Sequence, residues 1–138
     1  MADLSITGAN VGVASSTTKV AVIEASEAIT RGQAVYRDGT NSNKAKKAIN
    51  TASASTAVYG IAISESAADG DFIAVATSGT IISGGSMTKG QLYYLSSTAG
   101  ALMPYADLTT NDYINGVYRA TSSTEAILIF ENKGIQAP

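Results

Sequence analysis

Short apolar stretches separated by small polar turns recur along the chain. Lys19 to Ala25 is rich in Val and Ile, and Gln33 to Arg37, Val58 to Ile63, Asp71 to Thr77, Gln91 to Leu95, Tyr113 to Ala120 and Glu125 to Glu131 follow the same style. β-branched and aromatic residues fit a pleated, half-buried backbone. The stretches are punctuated by Asp38-Gly39, Asp69-Gly70, Gly84-Gly85, Ala99-Gly100 and Asn132-Lys133-Gly134, which read as turns. Ile127 to Phe130 is apolar without alternation, the pattern of a strand buried on both faces. No convincing amphipathic helix is found, and the hydroxyls of 50–57 compete with a helical backbone. Many short strands with regular turns predict an all-β fold, a small β-sandwich or barrel.

The pattern also repeats. Ile29-Thr30-Arg31-Gly32-Gln33-Ala34-Val35-Tyr36 matches Met87-Thr88-Lys89-Gly90-Gln91-Leu92-Tyr93-Tyr94 at an offset of 58 residues. Val58 to Ile61 matches Ile114 to Val117 at 56, and Phe72 to Val75 echoes Ile127 to Phe130 at 55. The order is kept while the offset drifts, as loop deletions would cause, so the body reads as pseudo-duplicated halves, about 29–80 and 87–135. In the shared motif Thr can bond a nearby backbone group, and Gly can take a positive φ. Thr30, Gly32, Gln33 and Tyr36, and likewise Thr88, Gly90, Gln91 and Tyr94, therefore read as a turn that launches a strand. These residues shape backbone; they are not a ligand site.

Residues 1–18 differ from the single β domain expected at 19–138. They are Gly-, Ser- and Thr-rich, with Leu4, Ile6, Val11 and Val13 as the apolar anchors. That is the make-up of an extended N-terminal arm that orders by lying on something else, and equally that of a frayed terminus; in the first case those four residues are the candidates for contact with another subunit or surface.

Composition narrows the chemistry. At 138 residues the chain can bury one core, yet only 14% of it is charged, so Ser, Thr, Asn and Gly supply the polar surface. A net charge of -2 favours no nucleic-acid partner, and no apolar run is long enough to span a membrane. The start of the chain has neither a basic segment nor an apolar one, so it does not read as a signal peptide. Lys44, Lys46 and Lys47 have no interleaved aromatic and read as a solvated loop or an edge strand. With no Cys and no His, thiol nucleophiles, imidazole bases and Cys-ligated zinc are excluded; no metal or cofactor is expected. Ser16-Thr17-Thr18-Lys19 fits a Ser-x-x-Lys pattern but precedes a strand rather than opening a helix. Gly79 to Ser86 lacks the lysine of a phosphate loop. Asp38 to Asn43 lacks the order of a calcium loop, and Asp107 with Asp112 reads as turn-forming rather than as a hydrolytic pair.

Read in order, these residues resemble the small head decoration, or capsid cement, proteins of bacteriophages. The likeness runs from Asp3-Leu4-Ser5 and Ala9-Asn10-Val11 through Ile29 to Asp38, Tyr59-Gly60-Ile61-Ala62 and Val75 to Gly79. It is densest at Thr88 to Gly100 and continues through Pro104 to Leu108 and Asp112-Tyr113. Tyr118-Arg119 and the lysines at 44–47 depart from it. The resemblance implies a β-rich virion protein on the capsid exterior, commonly a homotrimer, that binds the major capsid protein and braces neighbouring capsomers without catalytic residues. The alternative is a head-fibre or tail-associated module that binds host glycans, for which Tyr93, Tyr94, Tyr105, Tyr113 or Tyr118 would have to share an exposed patch.

Overall fold

The computed structural model describes residues 3–52, 55–104, 107–109, 112–132 and 135–136. Tyr105 and the Lys133-Gly134 part of one expected turn lie outside them. The described chain is all-β. Its strands are β1 (Ile6–Val13), β2 (Lys19–Glu24), β3 (Ala34–Asp38), β4 (Lys44–Lys47), β5 (Gly60–Ala62), β6 (Phe72–Ser78), β7 (Thr80–Gly85), β8 (Leu92–Leu95), β9 (Leu102–Pro104), β10 (Tyr113–Ile114), β11 (Gly116–Ala120), β12 (Glu125–Leu128) and β13 (Ile135–Gln136).

The duplication is visible as topology. One sheet runs β2-β6-β5-β3-β4; the other runs β1-β7-β12-β11-β8-β9, which is the same order with β1 added at its edge. A short β10-β13 pair stands apart. Each sheet curls until its edges meet at one point. Ser26 N–H donates to Ala45 O (2.9 Å) in the first, and Leu4 N–H donates to Leu102 O (2.7 Å) in the second.

Register refines the alignment of the halves. Ile61 lies opposite Ala34 as Arg119 lies opposite Leu92, so the offset of the turn motif persists into this strand. Gly60 therefore corresponds to Tyr118, not to Gly116, because a bulge sits between Gly116 and Tyr118. Ala76 corresponds to Ile127, since each pairs with that same strand position. The later sequence echo slides because the turn at 121–124 is much tighter than the connection at 63–71.

The core lies between the two sheets. Ala34, Ile61 and Ala76 of the first sheet meet Ile81, Tyr93, Leu95, Leu102, Val117, Tyr118, Ala126 and Leu128 of the second. The opposite face of the first sheet carries its own cluster, Val35, Ala62, Ile73 and Val75, covered by Ala25 and Ile29. Strand β12 departs from the expectation of burial on both faces. Its pattern alternates, with Ile127 41% exposed, and Ile129 just beyond it is 39% exposed, because no described residue covers that side. Phe130, two residues past the strand, has a φ of 38°, a conformation that a bulky residue rarely adopts.

Asparagines stitch the halves together. Asn50 Nδ2 donates to Leu95 O (3.0 Å), and Asn132 brackets Val58, accepting from its N–H (3.1 Å) and donating to its carbonyl (3.0 Å). Asn115 Nδ2 donates to Thr56 O and to Asn132 Oδ1. These bonds satisfy the Nδ2 donors and tie the two halves across the seam, while Oδ1 of Asn50 and of Asn115 is shielded without a partner among the described residues.

Candidate functional site

The two turn motifs are near copies in hydrogen bonding. Gln33 N–H donates to Thr30 O (3.3 Å), and Gln91 N–H to Thr88 O (3.1 Å). Gly32 and Gly90 have φ of 91° and 85°, values that glycine takes without a Cβ penalty. Each glycine N–H then reaches the strand across the sheet, Gly32 to Ala62 O and Gly90 to Ala120 O, both 2.7 Å. The strand answers with Ala62 N–H to Gln33 O and Ala120 N–H to Gln91 O, both 2.9 Å. The closing bond of each turn uses the threonine backbone carbonyl. Tyr36 and Tyr94 are half-buried, with Tyr36 packed on the inter-sheet core. The turns launch β3 and β8 as the sequence anticipates.

Their surroundings differ because of the arm. Residues 6–13 form β1, which lies antiparallel on the chain's own β7. Gly84 and Gly85, read from sequence as a turn, are instead the seat of this strand. A Cβ at Gly84 would fall 2.7 Å from Thr7 O, and one at Gly85 would fall 2.8 Å from Ser5 O. Close backbone approach is the other use of glycine in a strand. Of the four arm anchors, Leu4 packs against the inter-sheet core and Val11 is buried. Ile6 is half-buried over the first turn, and Val13 is 44% exposed. Gly32 is buried beneath them, where a Cβ would come within 2.7 Å of Ile6 Cγ2 and 3.1 Å of Val11 Cγ2. At Gly90 the same atom would meet nothing within 4 Å.

Where the arm crosses the first turn it walls a half-open cleft of about 660 Å³. Leu4 and Ile6 of the arm line it together with Thr30, Arg31 and Gln33 of the turn and with Glu65. A second exposed feature lies on the outer rows of β2 and β6. Val22 is 71% exposed, Phe72 67% and Val20 47%. Val22 lies opposite Ala74 and Glu24 opposite Phe72, so Val22 and Phe72 are diagonal neighbours on one face. Neither feature was singled out in the sequence. The alternation of Val20 and Val22 looks like any half-buried strand, and only the three-dimensional arrangement leaves that side uncovered.

The remaining candidates resolve into structure. Lys44 to Lys47 are edge strand β4, where Lys44 Nζ pairs with Glu24 (3.2 Å) and Asp69 (3.1 Å). These carboxylates hold the Lys44 ammonium above its ordinary range. Asp38 closes the β3–β4 hairpin by accepting from Thr40 Oγ1 (2.7 Å) and Thr40 N–H (3.1 Å), which lowers its carboxyl below the ordinary 3.8. Asp112 accepts from Thr109 N–H and Oγ1, a turn role again. Among the described residues no three acidic, His or Cys side chains converge as a metal site. Tyr93 and Tyr118 are core residues with ring centroids 6.1 Å apart, which removes them from any exposed aromatic patch. No helix among the described residues is long and apolar enough to cross a membrane.

Comparison with protein-family models, curated proteins and solved structures finds no match.

Proposed function

We propose that the protein is a structural virion component that binds the outer surface of a bacteriophage capsid and stabilises it by bridging capsomers. The observation that carries the reading on the structural side is the apolar patch of Val20, Val22 and Phe72 on a body stitched across both sheets. Contiguous exposed apolar surface marks an interaction site. The likeness to decoration proteins supplies the identity of the partner, the major capsid protein, and suggests self-association as a homotrimer. A capsid repeats one site many times, so a modest interface per copy suffices once copies act together.

The test mixes purified protein with expanded heads that lack it, images the particles and measures their resistance to heat. Ordered density on the capsid exterior and a raised disruption temperature are expected, with both lost in Val22→Asp/Phe72→Asp protein that retains its fold. Bare particles with unchanged heat resistance would rule the reading out. Sedimentation of the free protein at micromolar concentration tests the trimer separately.

A further inference from the structure

We propose that the cleft between the arm and the first turn is a binding site for a carboxylate group, anchored by Arg31. Arg31 is the second residue of the turn that Gly32 fixes, so its backbone is held at two points, by the Gln33–Thr30 bond and by the Gly32–Ala62 bond. The arm passes directly over it, for a Cβ at Gly8 would stand 3.7 Å from Arg31 Cβ. The side chain is half-buried as a result, and its Nε is fully shielded without a hydrogen-bond partner among the described residues. Glu65 shares the cleft, yet forms no ion pair with Arg31.

Nε is closed to solvent, so an incoming acceptor meets the two Nη groups, which make no hydrogen bond or ion pair among the described residues. The paired Nη donors of a guanidinium match the two oxygens of a carboxylate. The neighbours narrow the class further. Leu4 and Ile6 offer apolar wall for a short alkyl chain, whereas Glu65 would repel a dianion more strongly than a monoanion. A singly charged carboxylate on an aliphatic stem therefore fits better than a phosphate. Gln33 is committed, its Oε1 accepting from Thr30 N–H (2.9 Å), so it frames the cleft without competing for Arg31. The second half supplies an internal control. Lys89 stands in the equivalent place on an exposed turn, with open space beside Gly90. The site thus exists where the arm builds it and not where the motif alone is present.

The carboxylate could be a free organic acid or an acidic side chain of a partner protein. The assignment does not depend on capsid binding. The test follows backbone amide resonances of the full chain as sodium propionate is added, against sodium chloride at matched ionic strength. Saturable shifts are expected at Gly8, Ala9, Gly32 and Gln33, with a Kd on the order of 1–30 mM for so small a probe. Arg31→Gln should weaken binding at least tenfold, Lys89→Gln should leave it unchanged, and Glu65→Gln should strengthen it about twofold or more. Shifts no larger than those from chloride, or undiminished in folded Arg31→Gln protein, overturn the proposal. If Arg31→Gln fails to fold, the exposed Glu65→Gln variant decides, and unchanged or weaker affinity there overturns it. A second arm titrates N-acetyl-Gly-Glu-Gly-amide. Affinity at least tenfold above that of propionate supports the site with a protein side chain as its source, and equal affinity supports it with a free acid.

Discussion

Placing one methyl group at each of two pseudo-equivalent glycines separates the cost of a backbone conformation from the cost of seating the arm. Gly32 and Gly90 share a positive φ, a turn hydrogen bond and a bond across the sheet. An alanine at such a φ costs about 1–2 kcal/mol, of which about 0.4–1 is returned by the stiffer unfolded chain. Gly90→Ala meets no neighbour within 4 Å and should lose about 1 kcal/mol in total. Gly32→Ala carries the same backbone cost and also drives a Cβ to 2.7 Å from Ile6 Cγ2. That methyl belongs to a strand held on β7, so relief requires moving β1, and overpacking of this kind adds about 1–3 kcal/mol. The expected loss at Gly32 is therefore about 2–4 kcal/mol, combining the strain and overpacking values.

Denaturant unfolding with an unchanged m value measures both variants on one scale. The decisive comparison adds Ile6→Ala. If the clash is the cause, Gly32→Ala in the Ile6→Ala background should cost markedly less than in the parent and approach Gly90→Ala, short of it only by the 3.1 Å contact with Val11 Cγ2, a coupling that a double-mutant cycle reads directly. Equal losses at Gly32 and Gly90, or additivity of Gly32→Ala with Ile6→Ala, would refute the claim that β1 packs on the first turn. Proteolysis gives an independent readout, since a displaced arm should be cut at 6–13 before the body unfolds.

Three further outcomes are expected. Tyr118 is buried with its hydroxyl unpartnered among the described residues, and that burial pushes its phenol far above the ordinary value; Tyr118→Phe should leave stability unchanged or raise it by up to about 1 kcal/mol, and a loss above that by thermal unfolding would show that the hydroxyl is satisfied. Asn115→Ala removes the bonds to Thr56 and Asn132 at a site 1% exposed and should cost about 2–3 kcal/mol in denaturant unfolding, whereas a loss below about 0.5 would mean that the asparagine seam does not hold the halves. Asp38 has a lowered folded pKa, so its stabilising contribution is present above the ordinary 3.8 and is lost as pH falls through the folded value; Thr40→Ala removes the hydroxyl bond and keeps the backbone one, so it should move the carboxyl titration, followed by NMR, part of the way up toward 3.8, and an unmoved curve would discard the Thr40 hydroxyl as the main cause.

Much of the fold was legible because its signals are local. The seven apolar stretches became strands, and the Thr-x-Gly-Gln turns kept their reading because a positive φ leaves few residue choices. What escaped depends on partners distant in sequence. Gly84-Gly85 looks like a turn until β1 is placed beside it, since the glycines serve the neighbour's backbone rather than their own. β1 itself is polar and small enough to pass for a loose arm, because its stability comes from lying on β7 and not from its own alternation. Ile127 reads as core because an apolar residue on an uncovered face has the same letter as one inside. Arg31 sits inside a motif whose pattern reads as backbone-shaping. Nothing in Thr30-Arg31-Gly32-Gln33 announces that an arm shields one copy and leaves the other in solvent.

That asymmetry bears on how a duplicated body acquires a functional face. Two sheets of one order would by themselves present two equivalent turns and two equivalent open edges. The arm breaks the equivalence. It fills the edge of β7, buries Gly32 and shields Arg31, while among the described residues the corresponding edge at β2 pairs with no added strand and meets β4 through the Ala25–Ala45 bridge and the Glu24–Lys44 ion pair. The uncovered apolar rows at Val20, Val22 and Phe72 then lie on the half whose edge the arm does not fill. If the arm is what distinguishes the halves, deleting residues 3–13 should leave a folded but less stable body in which Gly32→Ala costs only as much as Gly90→Ala and propionate no longer shifts Gln33. A truncated chain that kept the propionate response would mean that the first turn binds by itself, and the difference between the halves would then have to be sought in the sheets.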